Sequence, residues 1–393
     1  MRILLLNDLA RPTGGAEVFT LALRDELRAR GHDARLLASR AELAGEAGTA
    51  DYSCFGTTSW ARTLNRVANL GAHRELARVL ASFRPDVVHV RMFMTQLSPL
   101  ILPLLRDRPS VYHAAWYEAI CPTGLKLLPG GEVCRQPAGR VCRRCLSPQA
   151  WTALMVQRAL WARWRDAFDL VVANSETTRR LLAEHGIGPI VRVYNGVAPR
   201  PARPPLTGPP TAAYAGRLSW EKGVDVMVRA FATIARGRPQ ARMVIIGEGP
   251  DRARLERLIA AEGLGGQVRM TGQLSRAQTE AALDRAWVQV VPSMVEEPFG
   301  NAFAEALMRG TALVAADHGG PSELVDHGQT GLLVPPRDAD ALSEALAGLL
   351  DDREWTERLG AAGRELALSQ LTLEHCVDRF VELYEGLLTA RAA

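Results

Sequence analysis

The sequence predicts an α/β protein of two domains. Short apolar segments rich in β-branched residues, such as residues 287–293, alternate with segments whose apolar residues recur every three or four positions. That is the pattern of strands followed by helices. The 393 residues are enough for two hydrophobic cores. A proline-rich segment with six prolines lies between them. We predict a first domain over residues 1–198, a linker over 199–210, a second domain over 211–370 and a last helix over 371–393.

Two glutamates of the second domain lie at a junction between a strand and a helix. Residues 287–293 predict a buried strand and a helical period begins near Gly300, so Glu297 falls in the loop and Glu305 in the second helical turn, beside Asn301. Ligands bind at this edge of an open parallel sheet, and the N–H groups that begin a helix favour an anion. The carboxylates then suit sugar hydroxyls, which a carboxylate accepts in pairs. Alternatively, both are ordinary solvated residues.

A second loop of this domain carries two cations, Arg217 and Lys222, after a short strand. Lysine is rare in this chain, since only Lys126 and Lys222 accompany 45 arginines. The arginine guanidinium binds two oxygens at once, whereas the lysine ammonium is a compact charge that can follow a moving phosphate. The loop therefore indicates phosphate binding, with a solvated pair as the alternative. Glycine turns at Gly247 and at residues 319–320 complete four loops at the carboxyl edge of one parallel sheet.

These motifs resemble those of the retaining glycosyltransferases of family GT4, which have the GT-B fold. The resemblance is carried by GRLSWEKG, IIGEGP, EPFGNAFAE and HGGPSE, in that order. It continues in the first domain in MRILLL, the turn Thr13-Gly14-Gly15-Ala16-Glu17, DVVHV and LVVANS, and so extends over almost the whole chain. It implies two Rossmann-like domains that face each other across a cleft. The first domain would bind the acceptor, the second the nucleotide sugar, and the last helix would cross back to the first domain.

The resemblance also implies roles for individual residues. The catalytic residues would be Arg217, Lys222, Glu297 and His113. The donor-binding residues would be Gly14, Gly15, Gly216, Gly247, Glu248, Phe299, Gly300, Asn301 and Glu305. His113, expected after a strand, would reach the sugar near the reacting carbon. Two positions depart from the family pattern, since Ala114 replaces an acidic residue and Arg91 stands where relatives often carry histidine.

The implied reaction moves a hexose-type sugar from a nucleoside diphosphate sugar, for which we expect UDP or GDP, to a hydroxyl of a glycan, glycolipid or natural product. Configuration is retained and no metal is required. The Asp338-Ala339-Asp340 motif is expected to cap a helix. The alternatives are a nucleotide-sugar epimerase or phosphorylase of the same fold and an inactive sugar-nucleotide-binding protein. A nicotinamide dehydrogenase is disfavoured, because Arg252 interrupts G-x-G-x-x-G.

Charge is divided unevenly along the chain. Residues 1–200 carry a net +10 and residues 201–393 a net −6. A basic acceptor domain suggests an anionic or lipid-linked acceptor, and no nucleic-acid partner is expected. The tryptophan- and arginine-rich segment 151–164 is either an interfacial helix or, as we favour, a partly buried one with Leu154 and Val156 in the core. No apolar run is long enough to span a membrane and no signal-peptide pattern opens the chain. We expect a cytoplasmic protein, at most peripheral to the inner membrane face.

Four of the six cysteines fall within 25 residues, and we call them the cysteine cluster: Cys121, Cys134, Cys142 and Cys145. In a cytoplasmic chain such a group favours a structural zinc over disulfides, and Cys142 and Cys145 have the spacing of a zinc knuckle. The first two are too far apart for a second knuckle. Reduced buried thiols and a redox-active pair therefore stay open as alternatives. Cys54 and Cys376 are expected in the core.

Overall fold

The computed structural model describes residues 1–11, 14–41 and 49–392. The chain divides into two compact units, one formed by Met1–Ala198 with Leu373–Ala393 and the other by Pro199–Thr372. Each unit is a parallel sheet with helices packed on it. The predicted α/β class is therefore confirmed.

The sheet of the first unit has the order β3-β2-β1-β4-β5-β6-β7, and every neighbouring pair is parallel. Its strands are β1 (Arg2–Asn7), β2 (Asp33–Ser39), β3 (Tyr52–Cys54), β4 (Val87–Val90), β5 (Ser110–Ala114), β6 (Leu170–Ala173) and β7 (Ile190–Arg192). Its first helices are α1 (Gly15–Ala29), α2 (Arg62–Val67), α3 (Leu70–Phe83), α4 (Pro148–Trp164) and α5 (Glu176–Glu184). Residues 3–6 of β1 are fully buried because helices cover both faces of a parallel sheet.

The sheet of the second unit has the order β10-β9-β8-β11-β12-β13, again parallel throughout. Its strands are β8 (Thr211–Ala215), β9 (Arg242–Ile246), β10 (Val268–Gly272), β11 (Val288–Val291), β12 (Ala312–Ala316) and β13 (Leu332–Val334). Its helices are α6 (Val224–Ala235), α7 (Arg252–Ala261), α8 (Arg276–Leu283), α9 (Asn301–Arg309), α10 (Gly320–Leu324), α11 (Ala339–Asp351) and α12 (Arg353–Gln370). The strand order reverses between β8 and β11, where an open sheet forms its ligand crevice.

The last helix, α13 (Leu373–Ala392), belongs to the first unit. Its apolar face, which includes Phe380 and Tyr384, is buried in the core that also contains Phe19. At its polar edge, Arg30 donates to the carbonyl of Glu374 at 2.9 Å.

Several local expectations can be compared with the structure. The proline-rich segment lies within the second unit, where Leu206 is buried and the Arg203 amide donates to the carbonyl of Arg309. In α4, Leu154 is buried, but the expected core position of Val156 is wrong, because that side chain is exposed. Asp338 accepts the Ala341 amide at 2.9 Å, which confirms the predicted helix cap.

Cys54 and Cys376 are buried, as predicted. Within the described ranges, no helix is both long and apolar enough to cross a membrane.

Candidate active site

A buried ion pair lies at the carboxyl edge of the second sheet. The loop after β8 brings the Lys222 ammonium within 2.6 Å of Glu297 Oε1, in the loop after β11. Ser293 Oγ donates to the same oxygen at 2.6 Å. Burial acts to raise the pKa of Glu297, but the charge and hydrogen bonds of Lys222 and Ser293 prevail and hold it below its ordinary value. The carboxylate is therefore kept ionised in a site where only 6% of the residue is exposed.

The loop that carries Glu297 is braced by the glycine turn after β12. The Gly320 amide donates to the Glu297 carbonyl at 2.8 Å. Gly319 has a φ of 66°, and a Cβ there would come within 2.4 Å of that carbonyl oxygen. A Cβ on Gly320 would come within 2.0 Å of the Phe299 carbonyl oxygen. Only glycine allows this close approach of two backbones, which fixes the height of Glu297 above the sheet.

Helix α9 begins directly after this loop. Gly300, its N-cap, is in the left-handed region with a φ of 94° and provides no side-chain cap. Asn301 is the first helical residue, so the helix presents its positive end at the same sheet edge as Glu297. The Phe299 ring is buried and packs against Phe303 with 5.2 Å between ring centroids. Any contribution of Phe299 to donor binding therefore comes from its backbone.

Glu305 lies one turn into α9 and belongs to a charged network. Its Oε1 lies 3.5 Å from Arg200 Nη2, and Arg200 also pairs with Glu280. Glu280 in turn lies 2.8 Å from Arg309. Burial raises the pKa of Glu305 above its ordinary value, and the charge of Arg200 opposes that rise.

The remaining donor-site residues of this unit are at the ends of β8 and β9. Arg217 is exposed, and its side chain forms no hydrogen bond or ion pair within the described part of the chain. Gly216 and Gly247 pack backbone to backbone, since a Cβ on Gly247 would come within 1.9 Å of the Gly216 carbonyl oxygen. Glu248 is exposed and pairs with Arg252 at 2.5 Å.

In the first unit, Gly14 is the N-cap of α1 and Gly15 its first residue. Gly14 has an extended backbone and no side-chain cap, and a Cβ there would come within 2.5 Å of the Glu17 carboxylate. Thr13, which was part of the predicted turn, lies outside the described residues. The start of α1 follows the carboxyl end of β1, a position that suits an anion.

The predicted position of His113 after a strand is wrong. The residue lies within β5, because the parallel pairing with β6 continues through the next residue, Ala114. Its side chain is fully buried, with Arg91 Nη1 at 2.9 Å from its Nδ1. A guanidinium has only donors, so His113 must accept, and burial together with the Arg91 charge lowers its pKa well below the ordinary value. His113 is thus a neutral imidazole, and its role at the sugar stays a prediction.

Comparison with known proteins identifies the family. Residues 200–366 match the protein family described as "Glycosyl transferases group 1", and residues 13–200 match the family described as "Glycosyltransferase Family 4". The chain is 30% identical over 301 residues to the GDP-mannose-dependent alpha-(1-6)-phosphatidylinositol monomannoside mannosyltransferase of Mycobacterium tuberculosis, covering 71% of this chain and 77% of that one. The chain belongs to glycosyltransferase family 4.

Other relatives and solved structures agree with this family assignment and with the fold. The glycosyltransferase is 28% identical over 331 residues to the glycogen synthase of M. tuberculosis, covering 81% of this chain and 71% of that one. Sucrose-phosphate synthase from Thermosynechococcus elongatus aligns with a TM-score of 0.77 at 22% identity, over 99% of this chain and 100% of that one. Anabaena HepE in complex with UDP-glucose aligns with a TM-score of 0.71 at 20% identity, over 98% and 100%. These structures establish the GT-B fold.

The cysteine cluster of the glycosyltransferase lies around a short 3-10 turn, Arg140–Arg144. All four thiols are free, and Cys142 accepts the Gly139 amide at 3.4 Å. Burial raises the pKa of Cys142 and of Cys145, and the charges of Cys121 and Cys134 raise both further. Across residues 1–11, 14–41 and 49–392, however, no three His, Cys, Asp or Glu side chains are arranged to hold a metal ion. The zinc site therefore stays a prediction.

Two partners of the predicted site residues were not expected from the sequence. Ser293 bonds to Glu297 and lies four residues before it, at the end of a strand, where serine is otherwise a common stop residue. Arg200 reaches Glu305 from the proline-rich segment, which has no periodicity from which a contact could be predicted. Both contacts join residues whose proximity depends on the folded loops.

Proposed function

We propose that this glycosyltransferase moves a hexose-type sugar from a nucleoside diphosphate sugar to an acceptor hydroxyl, with retention at the anomeric carbon. The observation that carries the proposal is the buried pair of Lys222 and Glu297, beside the start of α9. A carboxylate kept ionised in a buried site is suited to accept two sugar hydroxyls. Its lysine partner and the positive end of the helix are suited to phosphate oxygens.

The charge that develops on the departing diphosphate is the main electrostatic demand of this reaction. Arg217 is an exposed cation with no carboxylate partner among the described residues. Its whole positive charge would therefore be available to stabilise a bound diphosphate. Lys222 would supply a second cation from the same loop. These two positive charges would take the part that a metal ion plays in other transferases, so the proposed reaction requires no metal. We assign Glu297 to the donor sugar and Glu305 to the ribose hydroxyls.

The proposed sugar transfer needs no nucleophile from the protein. The bond from the anomeric carbon to the diphosphate oxygen breaks, and the bond to the acceptor oxygen forms on the same face. The acceptor hydroxyl proton passes to a diphosphate oxygen. Glu297 is committed to Lys222 and Ser293, so it is poorly placed to act as the nucleophile of a glycosidase pair.

The relatives support a UDP or GDP sugar as donor. HepE was solved with UDP-glucose, and the mycobacterial mannosyltransferase is named as dependent on GDP-mannose. For the acceptor we propose a hydroxyl of a glycan, glycolipid or natural product. The net +10 of residues 1–200 favours an anionic or lipid-linked one.

The test is incubation with radiolabelled UDP and GDP sugars, with transfer, hydrolysis and epimerisation scored separately. We expect transfer with retained configuration that persists in EDTA, and loss of at least 100-fold in Glu297→Gln. Epimerisation without transfer would support an epimerase instead. Tight nucleotide-sugar binding with no turnover would support an inactive binding protein.

A further inference from the structure

Two carboxylates of the second unit lie beside one arginine side chain. Arg200 Nη1 forms an ion pair with Glu280 Oε1, and Arg200 Nη2 lies 3.5 Å from Glu305 Oε1. Glu280 is in α8 and Glu305 in α9, whereas Arg200 precedes the first strand of the unit. A guanidinium carries donors on both Nη atoms, so one arginine can bridge two carboxylates that would otherwise repel each other. Arg200 therefore joins the two helices at the residue to which we assign the ribose hydroxyls.

The backbone of Arg200 is held by contacts that do not involve Glu305. Arg364 Nη2, in α12, donates to the Arg200 carbonyl at 2.7 Å. Three residues further along, the Arg203 amide donates to the carbonyl of Arg309, at the end of α9, at 2.9 Å. The side chain of Arg200 is only 13% exposed. The segment thus presents the Arg200 guanidinium to α9 from a fixed base.

The two carboxylates differ in how firmly they are engaged. Glu280 also pairs with the buried Arg309 at 2.8 Å. Burial acts to raise the pKa of Glu280, but Arg309 and Arg200 prevail and hold it below its ordinary value. Glu305 has Arg200 as its ion-pair partner, and within the described ranges its side chain accepts no hydrogen bond. Because that side chain is 35% exposed, its oxygens keep acceptor positions for hydroxyl groups.

The charge state of Glu305 depends on the groups that face it. Burial raises its pKa and the neighbouring carboxylate of Glu280 adds to the rise, while Arg200, Arg309 and Arg276 oppose it, Arg200 most strongly. Loss of the Arg200 charge would therefore raise the pKa of Glu305 further. A protonated carboxyl group has turned one oxygen into a donor and accepts fewer hydroxyl hydrogens. Arg200 thus acts on both the position and the charge of Glu305.

We propose that Arg200 is a positioning residue of the donor site, which fixes the Glu305 carboxylate for the ribose hydroxyls of the nucleotide. It would act through Glu305 rather than through contact with the donor. The inference rests on the proposed function, because the ribose role of Glu305 is part of that proposal. It gives the segment predicted to be a linker a part in donor binding.

Calorimetric titration of the full chain with UDP and GDP, and with the 2′,3′-dideoxy form of each, tests the proposal. For the nucleotide that binds the wild type, Arg200→Gln should raise the Kd of the ribose form roughly tenfold, as expected for one charge-assisted hydrogen bond. The dideoxy form has no hydroxyl for Glu305, so its Kd should change by less than about twofold. Glu305→Gln should show the same selective loss, and adding Arg200→Gln to it should change little more.

Two further variants and the pH profile separate this role from packing. Arg200→Lys keeps the positive charge and should bind the ribose form more tightly than Arg200→Gln does. Arg203→Gln is the matched control in the same segment, because its side chain donates to the Gly310 carbonyl at 2.9 Å and forms no ion pair in the described part of the chain. It should bind both forms as the wild type does. As pH falls, Arg200→Gln should lose affinity for the ribose form at a higher pH than the wild type, because the pKa of Glu305 is higher.

Equal weakening of the ribose and dideoxy forms in Arg200→Gln, or unchanged binding of both, overturns the proposal. So does a selective loss in Arg203→Gln, since any change in the segment would then be enough. If Glu305→Gln binds both forms as the wild type does, the ribose assignment in the proposed function fails, and the inference falls with it. Circular dichroism checks the fold of each variant, and Arg200→Met, with the same expected loss, replaces Arg200→Gln if that variant does not fold.

Discussion

Replacing Lys222 by methionine removes the counter-ion of a buried carboxylate and keeps the length of the side chain. The two charges are 2.6 Å apart, with side chains only 22% and 8% exposed. A charge-assisted hydrogen bond of this kind contributes about 1.5–3 kcal/mol. Leaving a buried charge unpaired costs about 3–5 kcal/mol, although protonation of Glu297 limits that cost. We expect a loss of about 3 kcal/mol in transition-state stabilisation, or roughly 100-fold in kcat/KM.

The same variant should change how the protein responds to pH. In the wild type the pKa of Glu297 is held below its ordinary value, so the stability it contributes is present above that value and is lost as pH falls through the lowered pKa. Without Lys222, burial is opposed only by weaker partners and the pKa rises. The acid limb of both activity and stability should therefore move to higher pH in Lys222→Met.

The assay is kcat/KM with one nucleotide sugar across pH, with a double-mutant cycle on Lys222→Met and Glu297→Gln. The two substitutions should be strongly non-additive, because each removes the same contact. Lys126→Met, at the only other lysine, is the control and should retain activity. Near-wild-type kcat/KM in Lys222→Met, or additive effects with an unmoved acid limb, would refute the reasoning.

Three further results are expected. Gly320→Ala should lower the free energy of unfolding by about 1–3 kcal/mol, because the added Cβ forces two backbone segments apart. Gly208→Ala is the control and should change this free energy little, because the space around its Cβ is open. Denaturant unfolding measures both variants. Burial lowers the pKa of His89 to about 3 in the folded protein. As pH falls below about 6.5, His89 is therefore protonated in the unfolded chain but not in the folded one. Stability should then fall by about 1.4 kcal/mol per pH unit from this residue, and His89→Phe should show a correspondingly shallower slope between about pH 4 and 6. Metal analysis of the purified protein should find about one equivalent of zinc on the cysteine cluster; a metal-free protein that is fully folded would contradict this.

The sequence was a good guide to elements whose pattern is local. Strand β11 and the start of α9 follow from a β-branched run and a change to helical period, so the loop position of Glu297 was predictable. The last helix was predictable for the same reason. His113 shows the limit, because whether a strand ends before or after a residue depends on how far its neighbour continues to pair.

Which side chains pair with one another was harder to predict from the sequence. Lys222 and Glu297 were each placed at the sheet edge, but their ion pair spans 75 positions and depends on the juxtaposition of two loops. Arg200 and Glu305 are separated by 105 positions and meet for the same reason. The exposure of Trp60 was not predicted either, since an exposed and a buried tryptophan can have the same local sequence pattern.

The sequence by itself determined the alternation of strands and helices, the carboxylate and cation loops of the second unit and the excess of positive charge in the first half. These depend on residue type and on spacing within a few positions. Only the tertiary structure decided that Lys222 keeps Glu297 ionised, that His113 is a buried neutral imidazole beside Arg91, and that Trp60 points to solvent. Those properties depend on distances and burial, which arise when residues far apart in the chain are packed together.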